Sequence, residues 1–514
     1  MIGSVLDRVV GVFSPVRAVQ RQQARRMLSR AYAGAESNRL TANKKPRNQS
    51  ADQEAAGPWG ADALRAWSRM LVRDNAYAWG VVDTIVSSVV GNGILTQSNL
   101  PDDEELNERR DDLFNDWSRN CDVNGVLDFH SMQSLIQREI VEAGEVLVHM
   151  VTMPEGDRGI RRPVPLALEL IEADRLAADF DTMRRMENGN RIVRGVELDE
   201  LGKPVAYHVY PNHPTDIGVT RQEPVRLLAS NVLHLFRRER VGQTRGVSWF
   251  APVVSWLRDL GTYLENEMVA SAISSCFTAA IKTKTPVSML GAGGDDTQDE
   301  AGNTYDYIQP GQIMHLQPDE DISFGSPGRP NSGAEPWISL MLRGVAVGTG
   351  LSYETVARDY SKTTYSANRA SQLEDRRRFR CWQLYLKHQL CEPVWYRFCE
   401  AAAMSGQRDF PTAAELLNNP MKAAPVEFQA TGWEWVDPVK EQKASEAAIA
   451  ANQSTLAYEL GAKGRNWRKV LMQRAKEREF MQELGMQSEE PAEQEPQEIV
   501  EEIDEPEQAV VTNG

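Results

Sequence analysis

Residues 350–380 read GLSYETVARDYSKTTYSANRASQLEDRRRFR, and the fold turns on where this stretch sits. Its first half, Tyr353 to Ser366, is polar: three tyrosines, a run of Ser and Thr, and one lysine, Lys362. An apolar, small-residue-rich segment, EPWISLMLRGVAVG, precedes it. A helical pattern starting at about Ala367 follows and continues through RRRFRCWQLYLKHQLCEPVWYRFCE to about Met404. Taken alone, the loop reads equally as an active site, a surface flap or a constriction in a channel.

Upstream lies the longest apparent helix, FAPVVSWLRDLGTYLENEMVASAISSCFTAAIK, ending near Lys282. Ser248 is placed to cap it, and Pro252 is tolerated in a first turn. Roughly 34 residues at 1.5 Å rise give about 50 Å. Val253, Leu257, Leu260, Leu264 and Met268 recur on one stripe, and Asp259, Glu265 and Glu267 are its only acids. The Ala/Ser-rich second half lets neighbouring helices approach closely. Such a helix suits a ring of identical subunits better than an isolated globule. Residues 283–334 are turn-rich, with strand candidates YDYIQ and IMHLQ, and read as a small β-containing excursion. The helix that returns from it spans only about 15 residues, or about 22 Å.

Nearer the start, ADALRAWSRMLVRDNAYAWGVVDTIVSSVV has helical spacing and stops at Gly91-Asn92-Gly93. Two more helix patterns (Asp102–Arg119, Phe129–Ala143) alternate with short strands ILTQS and EVLVHMV. PLALELI, IVRGVEL, PVAYHVY and NVLHLF then read as strands separated by turns. This is an α+β domain with a mostly antiparallel sheet. After residue 430, two or three helices precede an acidic low-complexity tail expected to be disordered.

The 514 residues exceed one ordinary core. The net charge of −16 is unevenly spread: ten acids and no Lys or Arg lie from Glu489 onward, while the first 50 residues carry ten Arg/Lys against two acids. A net-acidic body argues against tight reading of nucleic acid, which needs clustered cations. Five cysteines (121, 276, 381, 391, 399) show no C-x-x-C pair and suit buried thiols in a reducing compartment. No secretion signal is read, and the uncharged run Met268–Ile281 is 14 residues, too short for a bilayer, so a soluble protein is expected.

Motifs for chemistry are missing. There is no G-x-x-x-x-G-K-[ST] loop, no G-x-S-x-G elbow, and the seven histidines never take metal-ligand spacing. His149 and His234 alternate within apolar strands and read as satisfied structural histidines. The acids near 101–105 and 295–300 read as solvated surface. No catalytic residue, metal or cofactor is expected.

Several stretches together resemble the lambda-type bacteriophage portal proteins. They are LVRDNAYAWGVVDTIVSSVVGNGI (71–94), IQREIVEAGEVLVHM (136–150), LELIEADRL (168–176), VGQTRGVSWFAPVV (241–254), GTGLSYETVARDYSKTTYSANRAS (348–371) and WVDPVKEQKASEAAI (435–449). They follow the family's order over roughly 60–480; the basic arm and acidic tail lie outside.

The resemblance implies a portal-type α+β fold assembled as a ring. Its parts would be a flexible basic arm (1–57), an α+β wing (58–245), a first stem helix (246–282) and a clip (283–334). A return stem helix (335–350), tunnel loop (351–366), wing closure (367–430), helical crown (431–485) and disordered acidic tail (486–514) complete the chain. It implies a dodecameric homo-oligomer at one capsid vertex of the virion, assembled in the host cytoplasm, through which double-stranded DNA is packaged and ejected without sequence reading. Implied partners are the terminase large subunit, head-completion and tail connector proteins, and major capsid and scaffold proteins; no membrane is involved. Ser361, Lys362, Thr363, Thr364 and Tyr365 would line the constriction, and Asp259, Glu265 and Glu267 an acidic wall to which DNA does not adhere. For Lys362 an ordinary exposed loop lysine is an equal reading, and for Arg376 to Arg378 surface or intersubunit ion pairs come ahead of DNA contact. The competing readings are a DNA-packaging nuclease or another head-tail connector ring protein.

Overall fold

The computed structural model describes residues 49–55, 60–101, 103–154, 156–179, 189–217, 223–276, 280–283, 320–323, 333–433, 438–463, 465 and 467–486. The chain divides into two units, Met1–Glu54 and Ala55–Gly514. Of the first, residues 49–54 are described, with the start of a short helix, Ala51–Ala55. Most of the basic arm, most of the clip and the acidic tail beyond Met486 lie outside the described residues. All the other described elements belong to the second unit.

The helical pattern over 61–90 is two helices, α1 (Ala61–Asp74) and α2 (Ala76–Val89). Asn75 breaks it. Its side-chain oxygen accepts from the Tyr77 and Ala78 amides at 3.0 and 3.2 Å, ending one helix and capping the next. Strand β1 (Leu95–Ser98) comes next, then α3 (Glu104–Ser118) and α4 (Phe129–Glu142), capped by Asp103 and Asp128. Asp103 thus has a structural job, and the neighbouring Glu104 pairs with Arg468 at 2.9 Å.

Strands β2 (Glu145–Thr152) and β3 (Leu166–Glu172) lead into β4 (Arg191–Val193), β5 (Val196–Leu198), β6 (Pro204–Val209), β7 (Val225–Leu228) and β8 (Val232–Phe236). The single strand expected over IVRGVEL is a hairpin, because Arg194 and Gly195 both take positive φ and turn the chain between β4 and β5. The strands form two antiparallel sheets, ordered β3-β2-β8 and β4-β5-β6-β7. His149 and His234 bond Glu169 and Glu145 at 3.1 and 3.0 Å, as structural histidines do.

Beyond the sheets come α5 (Val254–Cys276), β9 (Ala280–Thr283), β10 (Glu320–Ser323), α6 (Ala334–Thr349), α7 (Tyr353–Ala357) and α8 (Tyr365–Leu386). A five-residue π-helical widening, Lys387–Cys391, joins α8 to α9 (Glu392–Met404). The chain finishes with α10 (Ala413–Asn418), β11 (Val426–Gln429), α11 (Pro438–Ala450), α12 (Leu456–Ala462) and α13 (Trp467–Glu483). Strand β11 pairs antiparallel with β1, so distant parts of the chain share one small sheet.

One core joins the two halves. Phe114 and Trp117 of α3 and Phe129 of α4 meet Trp395 and Phe398 of α9, with the Phe114–Phe398 centroids 5.0 Å apart and nearly perpendicular. Burying such rings edge to face contributes beyond area alone. Cys121, Cys391 and Cys399 are buried in this body as expected, but Cys381 is exposed, on the solvent side of α8.

Candidate functional site

Two small-to-large contacts and one ring pair set how α5 and α6 lie together. Gly348 faces Val253, Gly344 faces Trp256, and the Trp337 and Tyr263 rings lie 4.1 Å apart, tilted by 38°. Residue numbers rise on one helix as they fall on the other, so the helices are antiparallel. The glycines permit the close approach: a Cβ on Gly344 would sit 2.5 Å from the Trp256 ring. The small residues of RGVAVG are the sequence signal for this contact.

Helix α5 is shorter than expected, 23 residues or about 34 Å. Ser248 does not cap it. Its hydroxyl donates to Ser68 at 3.0 Å and accepts the Phe250 amide at 3.1 Å, holding residues 249–253 as turns before the helix begins. The expected stripe is real over its first half: Val253, Leu257 and Leu260 are buried and Leu264 is partly covered, but Met268 is 66% exposed. The helix leaves the body near Leu264. The mismatch in length with the return helix narrows to 23 against 16 residues, and the β9–β10 pair, Ala280 opposite Ser323, ties the two arms beyond it.

At about 100° per residue, Asp259, Glu265 and Glu267 cannot share one wall, because Glu265 and Glu267 lie about 160° apart. Asp259 and Glu265 are exposed and flank the arc opposite the buried stripe, whereas Glu267 sits half-buried at the stripe's edge. Asp259 pairs with Arg258 at 3.2 Å.

The loop after α6 is more ordered than its composition suggests. Residues 353–357 are helical, and α8 begins at Tyr365 rather than Ala367. Thr364 is therefore the cap of α8, accepting the Ala367 amide at 3.4 Å, and Tyr365 its exposed first residue. Ser361 closes a turn on Asp359, its hydroxyl donating to that carboxylate at 2.6 Å. Thr363 donates to Glu354 at 3.3 Å. Lys362 reaches Glu335 at the start of α6, both side chains about three-quarters exposed, which raises the lysine's pKa. By the α5–α6 pairing, Glu335 is level with Glu265, so Ser361–Thr363 fold back along the helix pair.

Sequence reasoning missed the anchor of this loop. The Asp375 carboxylate, 5% exposed on α8, accepts the Ser352 amide at 2.9 Å and the Ser352 and Thr355 hydroxyls at 2.7 Å each. Arg358, at φ 51°, lies 3.6 Å from Asp83 of α2. Nothing in the Arg-rich surroundings of Asp375 marked it; the hydroxyls at Ser352 and Thr355 were the available hint. In the same run, Arg376 lies over Trp433, and the Arg378 guanidinium packs on Gly350.

A second constellation holds the start of α5. Glu145, fully buried, accepts from Arg65 at 3.0 Å, Arg245 at 2.8 Å, His234 at 3.0 Å and the Gly246 amide at 2.7 Å. Burial alone would raise its pKa, but Arg245, His234 and Arg65 outweigh it and hold the carboxyl well below the ordinary range. Nearby, Glu172, Asp174 and His213 place ligand atoms within 4.8 Å of one another. Arg69 bonds Asp174 at 2.6 Å and Arg65 adds a contact at 3.4 Å, so this acidic group is part of an ion-pair network.

Residues 37–383 match the model of the phage portal protein, lambda family. The chain belongs to that family. The probable portal protein of Halomonas phage phiHAP-1 is 25% identical over 451 residues, covering 85% of this chain and 84% of that protein. Portal protein B of Escherichia phage lambda is 21% identical over 307 residues, covering 55% of this chain and 57% of that protein. A solved structure of the neck of a native gene transfer agent particle aligns at TM-score 0.42 and 14% identity, over 81% of this chain and 97% of that one. The portal chain's family match includes the α5–α6 pair, the loop and the Glu145–Arg245 junction.

Proposed function

We propose that this portal chain assembles as a dodecameric ring at one capsid vertex, with double-stranded DNA passing through its centre during packaging and ejection. Helices α5 and α6 form the stem, and Ser361–Tyr365 form the constriction. The supporting observation is the stem itself. Past Leu264, α5 carries Met268 and Val269 at 66% and 57% exposure, apolar surface that neighbouring subunits in a ring would cover.

In this reading the exposed acids of α5 line the channel. Asp259 and Glu265, repeated around the ring, give a repulsive lining that keeps DNA sliding. Lys362 offers phosphates a modest donor without reading bases. The protein is a conduit rather than an enzyme. ATP hydrolysis falls to the terminase large subunit, which docks on the clip side; head-completion and tail connector proteins dock there later. Major capsid and scaffold proteins surround the ring in the virion, which is assembled in the host cytoplasm.

Negative-stain imaging of the purified full chain tests this. Rings with a central hole are expected, and particles without them overturn the assembly. Divalent-dependent cleavage of DNA by the same preparation would favour a packaging nuclease instead.

A further inference from the structure

The β1–β11 ribbon has an open edge, and that edge lines a cleft. Among the described residues no strand pairs with β11 on the side away from β1. A cleft of about 500 Å³ runs there, between β11, α8 and α12. Successive strand residues point to opposite faces. The consecutive strand residues Glu427, Phe428 and Gln429 all line the cleft, so it follows the strand's edge rather than a face, and Ala430 to Trp433 extend it beyond the strand's end.

Two features of this cleft define what fits it. The first is charge. Arg376 and Arg380 of α8 stack over Trp433 at 6.0 and 5.7 Å, and Lys387 and Lys463 line the same cleft. Glu459, one of its two acids, is already engaged by Ser445 and Ser454 at 2.8 and 2.7 Å. The second is hydrogen bonding. Gln429 is 4% exposed, and among the described residues its Oε1 finds no donor and the Trp433 indole N–H no acceptor. A nucleic-acid phosphate offers no N–H to Gln429. A peptide backbone offers both an N–H and a C=O, and an added strand satisfies the edge of β11 as well.

We propose that this cleft is the docking site of the chain's own acidic C-terminal segment, added along β11. Residues 489–514 carry ten acids and no Lys or Arg. Within them EIVEEIDE (498–505) combines β-branched Ile499, Val500 and Ile503 with five carboxylates, between Pro496 and Pro506. Such a composition builds no core of its own but can order against a partner edge. The reach is sufficient. Lys463 borders the cleft, and α13 then runs 17 residues, about 25 Å. From Met486, a dozen residues extended at about 3.3 Å each span about 40 Å, enough to bring residue 498 back.

The test is zero-length carbodiimide cross-linking of the full chain, read by peptide mass spectrometry. Amide links from Lys387 or Lys463 to carboxylates between Glu498 and Glu507 are expected. They should disappear in R376E/R380E. In a full chain carrying Gln or Asn at the five acids of 498–505, which leaves the folded body untouched, links from the remaining Glu507 carboxylate should also fall to background. Tail links confined to other lysines, or none at all, overturn the proposal. So does protection of Lys387 and Lys463 from acetylation by added duplex DNA rather than by the tail, which would assign the cleft to nucleic acid. The cross-links are read on the chain itself, so their absence leaves the ring assembly standing, and a failure to form rings leaves the cleft proposal standing.

Discussion

Arg245 clasps Glu145 across a hundred residues of sequence, its Nε 2.8 Å from a carboxylate that no solvent reaches. The contact joins EAGEVL to GQTRG, the start of the central strand β2 to the turn that launches α5. Gly144 and Gly246 face one another beside it, so close that a Cβ on Gly246 would collide with the Gly144 carbonyl. The direction in which α5 leaves the sheets is fixed here.

Replacing Arg245 by Met removes one of the two guanidinium partners of a buried negative charge and leaves Arg65, His234 and the Gly246 amide in place. Losing the whole of such a pairing costs about 3–5 kcal/mol. R245M is expected to lower the chemical-denaturation midpoint by part of that amount. The pH dependence is set by the sign of the shift. Glu145 is depressed in the folded state, so its stabilising contribution is present above the unfolded carboxylate's pKa and is lost as pH falls through the lower, folded value. Wild-type and R245M stabilities should therefore converge on acidification. A constant gap down to acid unfolding would remove the charge from the explanation.

The α5–α6 contact makes a second prediction. Gly344→Ala drives a methyl into Trp256, and overpacking of this kind costs about 1–3 kcal/mol. Trp256→Ala should relieve it, so the double variant is more stable than the sum of the single losses predicts. Thermal unfolding of the four proteins reads this coupling. Strict additivity would mean that the two helices do not touch there in solution.

The loop anchor is a third. Asp375→Ala removes the acceptor of three hydrogen bonds at a buried site, a loss of about 2 kcal/mol. The effect should be local, with amide exchange accelerating across 351–364 and little change in the sheets. Asp375→Asn, which keeps an acceptor oxygen, should retain part of the protection. Uniform acceleration through the whole chain would show a general defect instead of a lost anchor.

These sites differ in how far the sequence discloses them. Runs of Val, Leu and Ile bounded by turn residues make the strands readable, and the periodic apolar residues of α2, α4 and α9 mark their buried faces. Asn75 hid a helix break because its neighbours keep helical spacing on both sides; only its side-chain bonds reveal two helices. Ser248 has a capping residue's chemistry but spends its hydroxyl on Ser68 and Phe250, so α5 begins later than expected. Asp259, Glu265 and Glu267 are close in sequence, but two residues rotate a helix by about 200°, so Glu265 and Glu267 lie on different sides of α5. Asp375 and Arg245 are pairings between distant segments, which no local pattern encodes.

Lys362 and Glu335 separate two explanations of the proposed constriction. Their contact is solvent-exposed, so neither K362E nor E335K is expected to move the melting temperature appreciably. If the positive charge at Lys362 touches passing phosphates, K362E should lower the DNA packaged per particle, and the charge-swapped pair K362E/E335K should stay low, because the cation has moved to α6. If the pair matters only by pinning the loop, the swap restores the attraction and should restore packaging. Wild-type packaging by K362E itself would remove Lys362 from the DNA path. Full recovery in the double variant would leave it as a tether, with the constriction then formed by the backbone and hydroxyls of Ser361 and Thr363.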